Sequence, residues 1–241
     1  MSGHSDSSRT DGASHASMLR LMRGHCFWLL WAILLLMIAY PYLMPSLIGK
    51  ITLNVVNLAI LAAAVFAVSR SRKSLLAAVV LAVPCASLQW YVVVTDDHTA
   101  FRALALSEVL FLGFALVNLL LYVLRGDDVT ADKIHAAVSV YLLLALFFAT
   151  VYFFIEHERP SSFAFDAARE PEGRLDVYDM IYFSVVTMTS TGYGDIVPVS
   201  TPARSIANLQ QLIGVFYVAI LIARLAGLYP PRGARRLDRS G

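Results

Sequence analysis

The stretch Thr187-Met188-Thr189-Ser190-Thr191-Gly192-Tyr193-Gly194-Asp195 decides how this chain is read. Two glycines flank a tyrosine, and glycine enters the left-handed backbone region without a Cβ penalty. Such a segment can turn successive main-chain carbonyls to one side, leaving a row of oxygens. Just before it, 177–189 is an apolar run too short for a membrane span, which takes about 20 residues. Irregular backbone at membrane depth is tolerated only where protein buries it or where it lines a watery cavity. The spacing therefore predicts a re-entrant half-helix followed by a loop that lines such a cavity.

The rest of the chain supplies the membrane. Its 241 residues are 58% hydrophobic, against about 45–50% in ordinary soluble domains. Mean hydropathy is +0.66. Six apolar runs are long enough to cross: 26–43, 51–69, 74–95, 103–124, 136–155 and 201–228. Pro84 predicts a kink in the third, which neighbouring helices can accommodate. The expected fold class is an all-α membrane protein: six transmembrane helices plus the re-entrant half-helix and its loop. Cys26 and Cys85 sit among apolar residues and offer neither a disulfide framework nor metal-ligand spacing. No phosphate-binding glycine loop, nucleophile elbow or zinc signature is present, so an enzyme is not expected.

Charge gives orientation. Arg20 and Arg23 precede the first run, Arg70, Arg72 and Lys73 follow the second, and Arg232, Arg235, Arg236 and Arg239 follow the sixth. With six spans these segments share one side, which the basic bias makes cytoplasmic. Asp96, Asp97 and the acidic segment 156–176 fall on the other, and the glycine-tyrosine-glycine loop with them. The expected location is the plasma membrane, a bacterial inner membrane, with both termini cytoplasmic. Residues 1–24 read as a disordered tail, and 229–241 as a short basic tail with no soluble ligand-binding domain.

The loop resembles the filter of potassium channels of the pore-loop family, usually Thr-Val-Gly-Tyr-Gly-Asp, with Ser190 and Thr191 in the first two places. The resemblance covers about 138–228 and makes 133–228 a pore domain of outer helix, pore helix, filter and inner helix. It implies K+ as permeant ion, bound by Ser190, Thr191, Gly192, Tyr193 and Gly194 around the axis of a homotetramer. It implies a hinge at Gly214, cavity walls at Val215, Val218 and Ile222, and membrane lipid rather than nucleic acid as partner. From the residues alone, Ser190–Thr191 also read as a helix C-terminal turn, and Gly214 as a site of close helix packing. Asn208, Gln210 and Gln211 are expected to hydrogen-bond to the pore helix.

The chain departs from that pattern behind the filter, where a tryptophan pair is usual and Tyr182 and Phe183 stand here. Tyr182 can donate a hydrogen bond to Asp195, whereas Phe183 has no polar hydrogen. The Tyr193 hydroxyl would then lean on Thr187. The expectation is a filter braced less firmly at its outer part, able to gate by itself.

Residues 25–125 form an expected four-helix bundle like a voltage sensor but poor in charge. Each charge crossing the field is worth about 2.3 kcal/mol per 100 mV, yet 103–124 contains no Lys or Arg. Strong voltage gating is not expected. What the bundle does hold is Glu108. At 1.5 Å per residue it lies roughly 9 Å below the outer surface, level with Asn54, Asn57 and Gln89. The four read either as a structural hydrogen-bond cluster or as a proton- or ligand-sensitive pocket. The alternatives to a K+-selective pore are a poorly selective cation channel and a non-conducting membrane regulatory protein.

Overall fold

The computed structural model describes residues 25–43, 47–68, 72–95, 98–125, 130–165 and 175–227. Both tails, Asp96, Asp97, Arg70 and most of the acidic segment after Phe165 lie outside these residues. Among the described residues seven helices and two short strands follow in order: α1 (His25–Leu43), α2 (Leu47–Val68), α3 (Arg72–Thr95), α4 (His98–Leu124), α5 (Ala131–Glu158), β1 (Phe163–Phe165), α6 (Val177–Met188), β2 (Ile196–Pro198) and α7 (Thr201–Gly227). The chain is a multi-pass, all-α membrane protein. Of its helices α2, α3, α4, α5 and α7 are long and apolar enough to cross a membrane. The apolar stretch of α1, Cys26–Tyr40, is shorter.

Each expected apolar run is a helix, with shifted ends. The largest shifts at a start are five residues, in α4, which begins at His98 rather than 103, and in α5, which begins at Ala131 rather than 136. Arg102 falls inside α4, where an exposed arginine is a good helix former. Its side chain pairs with Glu158 of α5 at 2.6 Å. Pro84 lies inside α3, which runs on through it, and the Ser87 hydroxyl donates to the Pro84 carbonyl at 3.0 Å.

Helices α1–α4 pack on one another, and α1 and α4 pack directly against α5. Only six residues separate Leu124 from Ala131, so α4 lies on the outer helix of its own subunit. Asp132, in the first turn of α5, gathers this corner. Its carboxylate accepts from the Cys26 N–H at 3.1 Å and the Tyr122 hydroxyl at 2.9 Å. The pore helix α6 packs on α5 and α7. Strands β1 and β2 pair antiparallel, Phe163 opposite Pro198 and Phe165 opposite Ile196. This ribbon pins the segment after the loop to the C-terminal end of α5. The sequence reading missed it, because three-residue strands carry too little alternation to be seen.

Candidate functional site

The pore helix begins with a reciprocal cap. Asp176 accepts from the Asp179 N–H at 2.9 Å, and Asp179 accepts from the Asp176 N–H at 2.7 Å. Both carboxylates therefore sit at the positive end of the helix dipole, where anions are favoured. Its other end runs straight into the loop.

That end has a defined form. The Ser190 N–H donates to the Thr187 carbonyl at 3.1 Å and the Thr191 N–H to the Val186 carbonyl at 3.0 Å. Ser190 is left-handed, with φ 57°. This is a Schellman ending, with Ser190 as the left-handed residue just past the cap. The helix C-terminal turn, one of the two readings open at Ser190–Thr191, is thus what the single chain adopts. The Thr189 hydroxyl donates to the Val185 carbonyl and lies 2.8 Å from the Thr191 hydroxyl.

Beyond it the backbone alternates. Ser190, Gly192 and Gly194 have φ of 57°, 61° and 78°, while no positive φ occurs at Thr191 or Tyr193. A left-handed conformation at every second residue keeps successive peptide groups facing one way. Residues Thr189–Gly194 are all exposed in the single chain. After them the Tyr182 hydroxyl donates to Asp195 Oδ2 at 2.7 Å, and Asp195 Oδ1 accepts from the Ile196 N–H at 3.1 Å. The Tyr182 and Tyr193 rings are parallel, 6.4 Å apart.

Phe183 is elsewhere. It is buried on the opposite side of α6, with ring centroids 5.0 Å from Tyr152 and 5.2 Å from Phe163. Thr187 is buried as well, and within the chain the Tyr193 hydroxyl has no partner among the described residues.

Three helices meet at Gln210. It is fully buried. Its Oε1 accepts from the Tyr152 hydroxyl of α5 at 2.6 Å, and its Nε2 donates to Ser184 Oγ of α6 at 2.7 Å. The Ser184 hydroxyl in turn donates to the Ala145 carbonyl at 2.7 Å. Of the three polar residues expected to reach the pore helix only Gln210 does; Asn208 and Gln211 are exposed in the single chain. Ser184 and Tyr152 were not anticipated, although a serine inside an apolar half-helix is a signal of a buried partner. Glu156, read as part of an acidic surface, instead accepts from the N–H groups of Ser161, Ser162 and Phe163 at 2.9–3.1 Å. It builds the turn into β1.

At Gly214 helix α7 continues without a break. A Cβ there would lie 3.0 Å from the Met188 carbonyl and 2.9 Å from Met188 Cγ. Close packing on the end of the pore helix is therefore the requirement the chain shows. The Met188 carbonyl also accepts from the Tyr141 hydroxyl at 3.2 Å. Val215, Val218 and Ile222 lie on an exposed apolar face of α7 with Leu212 and Phe216.

Asn54, Asn57, Gln89 and Glu108 come together. All four line one cavity of about 580 Å³ among α1–α6.

A short capped helix delivering an alternating-handed loop between two long apolar helices defines a pore-loop membrane protein. The ion channel family matches residues 140–229. Protein LctB of Bacillus caldotenax is 30% identical over 94 residues, 39% of this chain and 69% of that protein. Two-pore potassium channel 1 of Arabidopsis thaliana is 44% identical over 50 residues, covering 21% of this chain and 14% of that one. The voltage-gated potassium channel of Aeropyrum pernix is 27% identical over 101 residues, 41% of this chain and 31% of that one. The chain thus spans less than a third of the length of these two potassium channels. No solved structure matches it. The chain belongs to the ion channel family, and its relatives point to a channel rather than an enzyme.

Proposed function

We propose that the chain is a subunit of a potassium channel, conducting K+ passively through a homotetrameric pore. The observation that carries this reading is the left-handed alternation at Ser190, Gly192 and Gly194 on the end of a capped half-helix. Four such loops around an axis give stacked oxygen rings in place of the ion's water shell. The exposed loop and the exposed apolar face of α7 are surfaces that neighbouring subunits would cover. The names of the relatives support K+ as the ion. The pore unit is 133–228, and 25–125 is a sensor-like bundle without gating arginines. With α1 counted as a span, both termini lie on the basic, cytoplasmic side. In the assembled pore Val215, Val218 and Ile222 line the cavity, and Gly214 seats the inner helix on Met188.

The direct test is ⁸⁶Rb+ uptake into liposomes holding the purified chain, followed by reversal potentials under K+/Na+ gradients. Uptake with a reversal near the K+ equilibrium potential is expected. Uptake without discrimination would give a poorly selective cation channel, and tetramers without uptake a regulatory membrane protein.

The outer filter rests on the Tyr182–Asp195 hydrogen bond, since Phe183 offers none. Tyr182→Phe is expected to hasten the decline of current during sustained conduction several-fold, with little effect on assembly. Phe183→Trp is expected to slow it, at an overpacking cost of about 1–3 kcal/mol against Tyr152 and Phe163. Patch recordings of both variants with unchanged decay would remove the idea of self-gating.

A further inference from the structure

The cavity among α1–α6 is lined by both polar and apolar side chains. Tyr40 of α1, Asn54 and Asn57 of α2, Gln89 of α3, Glu108 of α4 and Thr150 of α5 supply polar groups. Leu53, Phe101, Phe111 and Ile181 are among the apolar ones, and His157 stands with its ring against Phe101, centroids 4.0 Å apart. At about 580 Å³ the space is within the range of small-molecule sites, about 300–1,000 Å³.

Two acceptors in it lack a donor of matching strength. Glu108 is a carboxylate in a membrane helix, with the Asn57 side chain as its hydrogen-bond neighbour. Among the described residues no Lys or Arg lines the cavity. Arg102, on the same helix, is exposed and spent on Glu158. A carboxylate at such a place calls for a cation or a donor. The second acceptor is independent of it. Gln89 is 8% exposed, and its Oε1 is buried with no hydrogen-bond partner. Buried side-chain oxygens are seldom left so. Both groups ask for N–H donors, and the wall around them asks for hydrocarbon.

We propose that this cavity is a binding site for a primary organic ammonium with an apolar body, its N–H groups held by Glu108 and Gln89 and its body by the surrounding aromatic and aliphatic side chains. The site touches the outer helix α5 through Leu146, Ala149 and Thr150 and the pore helix α6 through Val177 and Ile181. An occupant there is in contact with the pore unit while lying off its axis. The ammonium could come from a free amine or from the headgroup of an aminophospholipid. The chemistry at the two acceptors is the same.

The experiment is ¹⁹F NMR titration of the full chain in phosphatidylcholine nanodiscs with 4-fluorophenethylamine, and with 3-(4-fluorophenyl)propan-1-ol as an uncharged partner of similar shape. Saturable binding of the amine is expected, at least tenfold tighter than the alcohol. Glu108→Gln, which keeps the shape of the side chain, is expected to weaken the amine about tenfold or more. Gln89→Leu is expected to weaken it about threefold or more. Either variant that remains monodisperse and binds with wild-type affinity overturns the proposal. Absence of saturable binding overturns it too. An ammonium held on the pore axis would ignore both substitutions, so that outcome also counts against it. Repeating the titration with phosphatidylethanolamine in the disc separates the sources: competition marks the lipid amine as occupant, and unchanged affinity a free one. Because binding is read directly, the result stands apart from whether the pore conducts K+.

Discussion

Gly194→Ala is expected to abolish ⁸⁶Rb+ uptake while leaving the tetramer intact. The reason is conformational rather than steric. Gly194 holds φ 78° and Gly192 φ 61°, and a Cβ at either would meet nothing within 4 Å in the chain. Alanine in the left-handed region costs about 1–2 kcal/mol per residue. Repeated on four subunits, that is enough to favour a rotated peptide whose carbonyl leaves the axis. The subunit core is untouched, so size-exclusion chromatography should show normal assembly beside lost flux. Wild-type uptake by this variant would mean that the carbonyls after Ser190 are not the coordinating groups. Gly192→Ala should behave alike.

The second large effect is expected at Gln210. Gln210→Leu keeps the volume but removes the acceptor of the Tyr152 hydroxyl and the donor to Ser184 Oγ. A buried polar group left unmatched costs about 1–3 kcal/mol. A loss of about 2–4 kcal/mol in resistance to denaturation is expected, read by titrating purified protein with dodecyl sulfate. Tyr152→Phe should cost less. The double variant should cost less than the two singles together, because the orphaned hydroxyl is then gone. Additive losses would show that the three groups do not act as one.

Where hydrophobic length decides an element, the sequence was legible. The helices α2–α5 and α7 follow from apolar runs of the right span, and the half-helix α6 from a run too short to cross; α1, expected as a sixth span, has a shorter apolar stretch, Cys26–Tyr40. Asn54, Asn57, Gln89 and Glu108, grouped in the sequence by depth counting, line one cavity, although α4 begins five residues before the expected 103 and the counted depth of Glu108 shifts with it. Groups whose partners come from distant segments were not legible. Glu156 looked like one more surface acid until the turn after α5 brought three N–H groups onto it. Phe183 was read for the hydrogen it lacks; its neighbours Tyr152 and Phe163 become visible only once α5 and β1 are in place. At Ser190 one set of residues fitted two structures, a filter site and a helix ending. Local hydrogen bonds to Thr187 and Val186 form the helix ending in the single chain, and that ending is compatible with a filter site at the same residue.

The six residues between α4 and α5 have a consequence for how a complex of this chain is put together. A fully extended segment of that length reaches roughly 20 Å, and α4 is already docked on its own outer helix. No helix has to be traded between neighbours. Each chain can finish folding alone and then meet its copies as a completed part, so the order of synthesis and the order of joining are independent. In a mixed complex, a fault in one bundle stays with the chain that carries it.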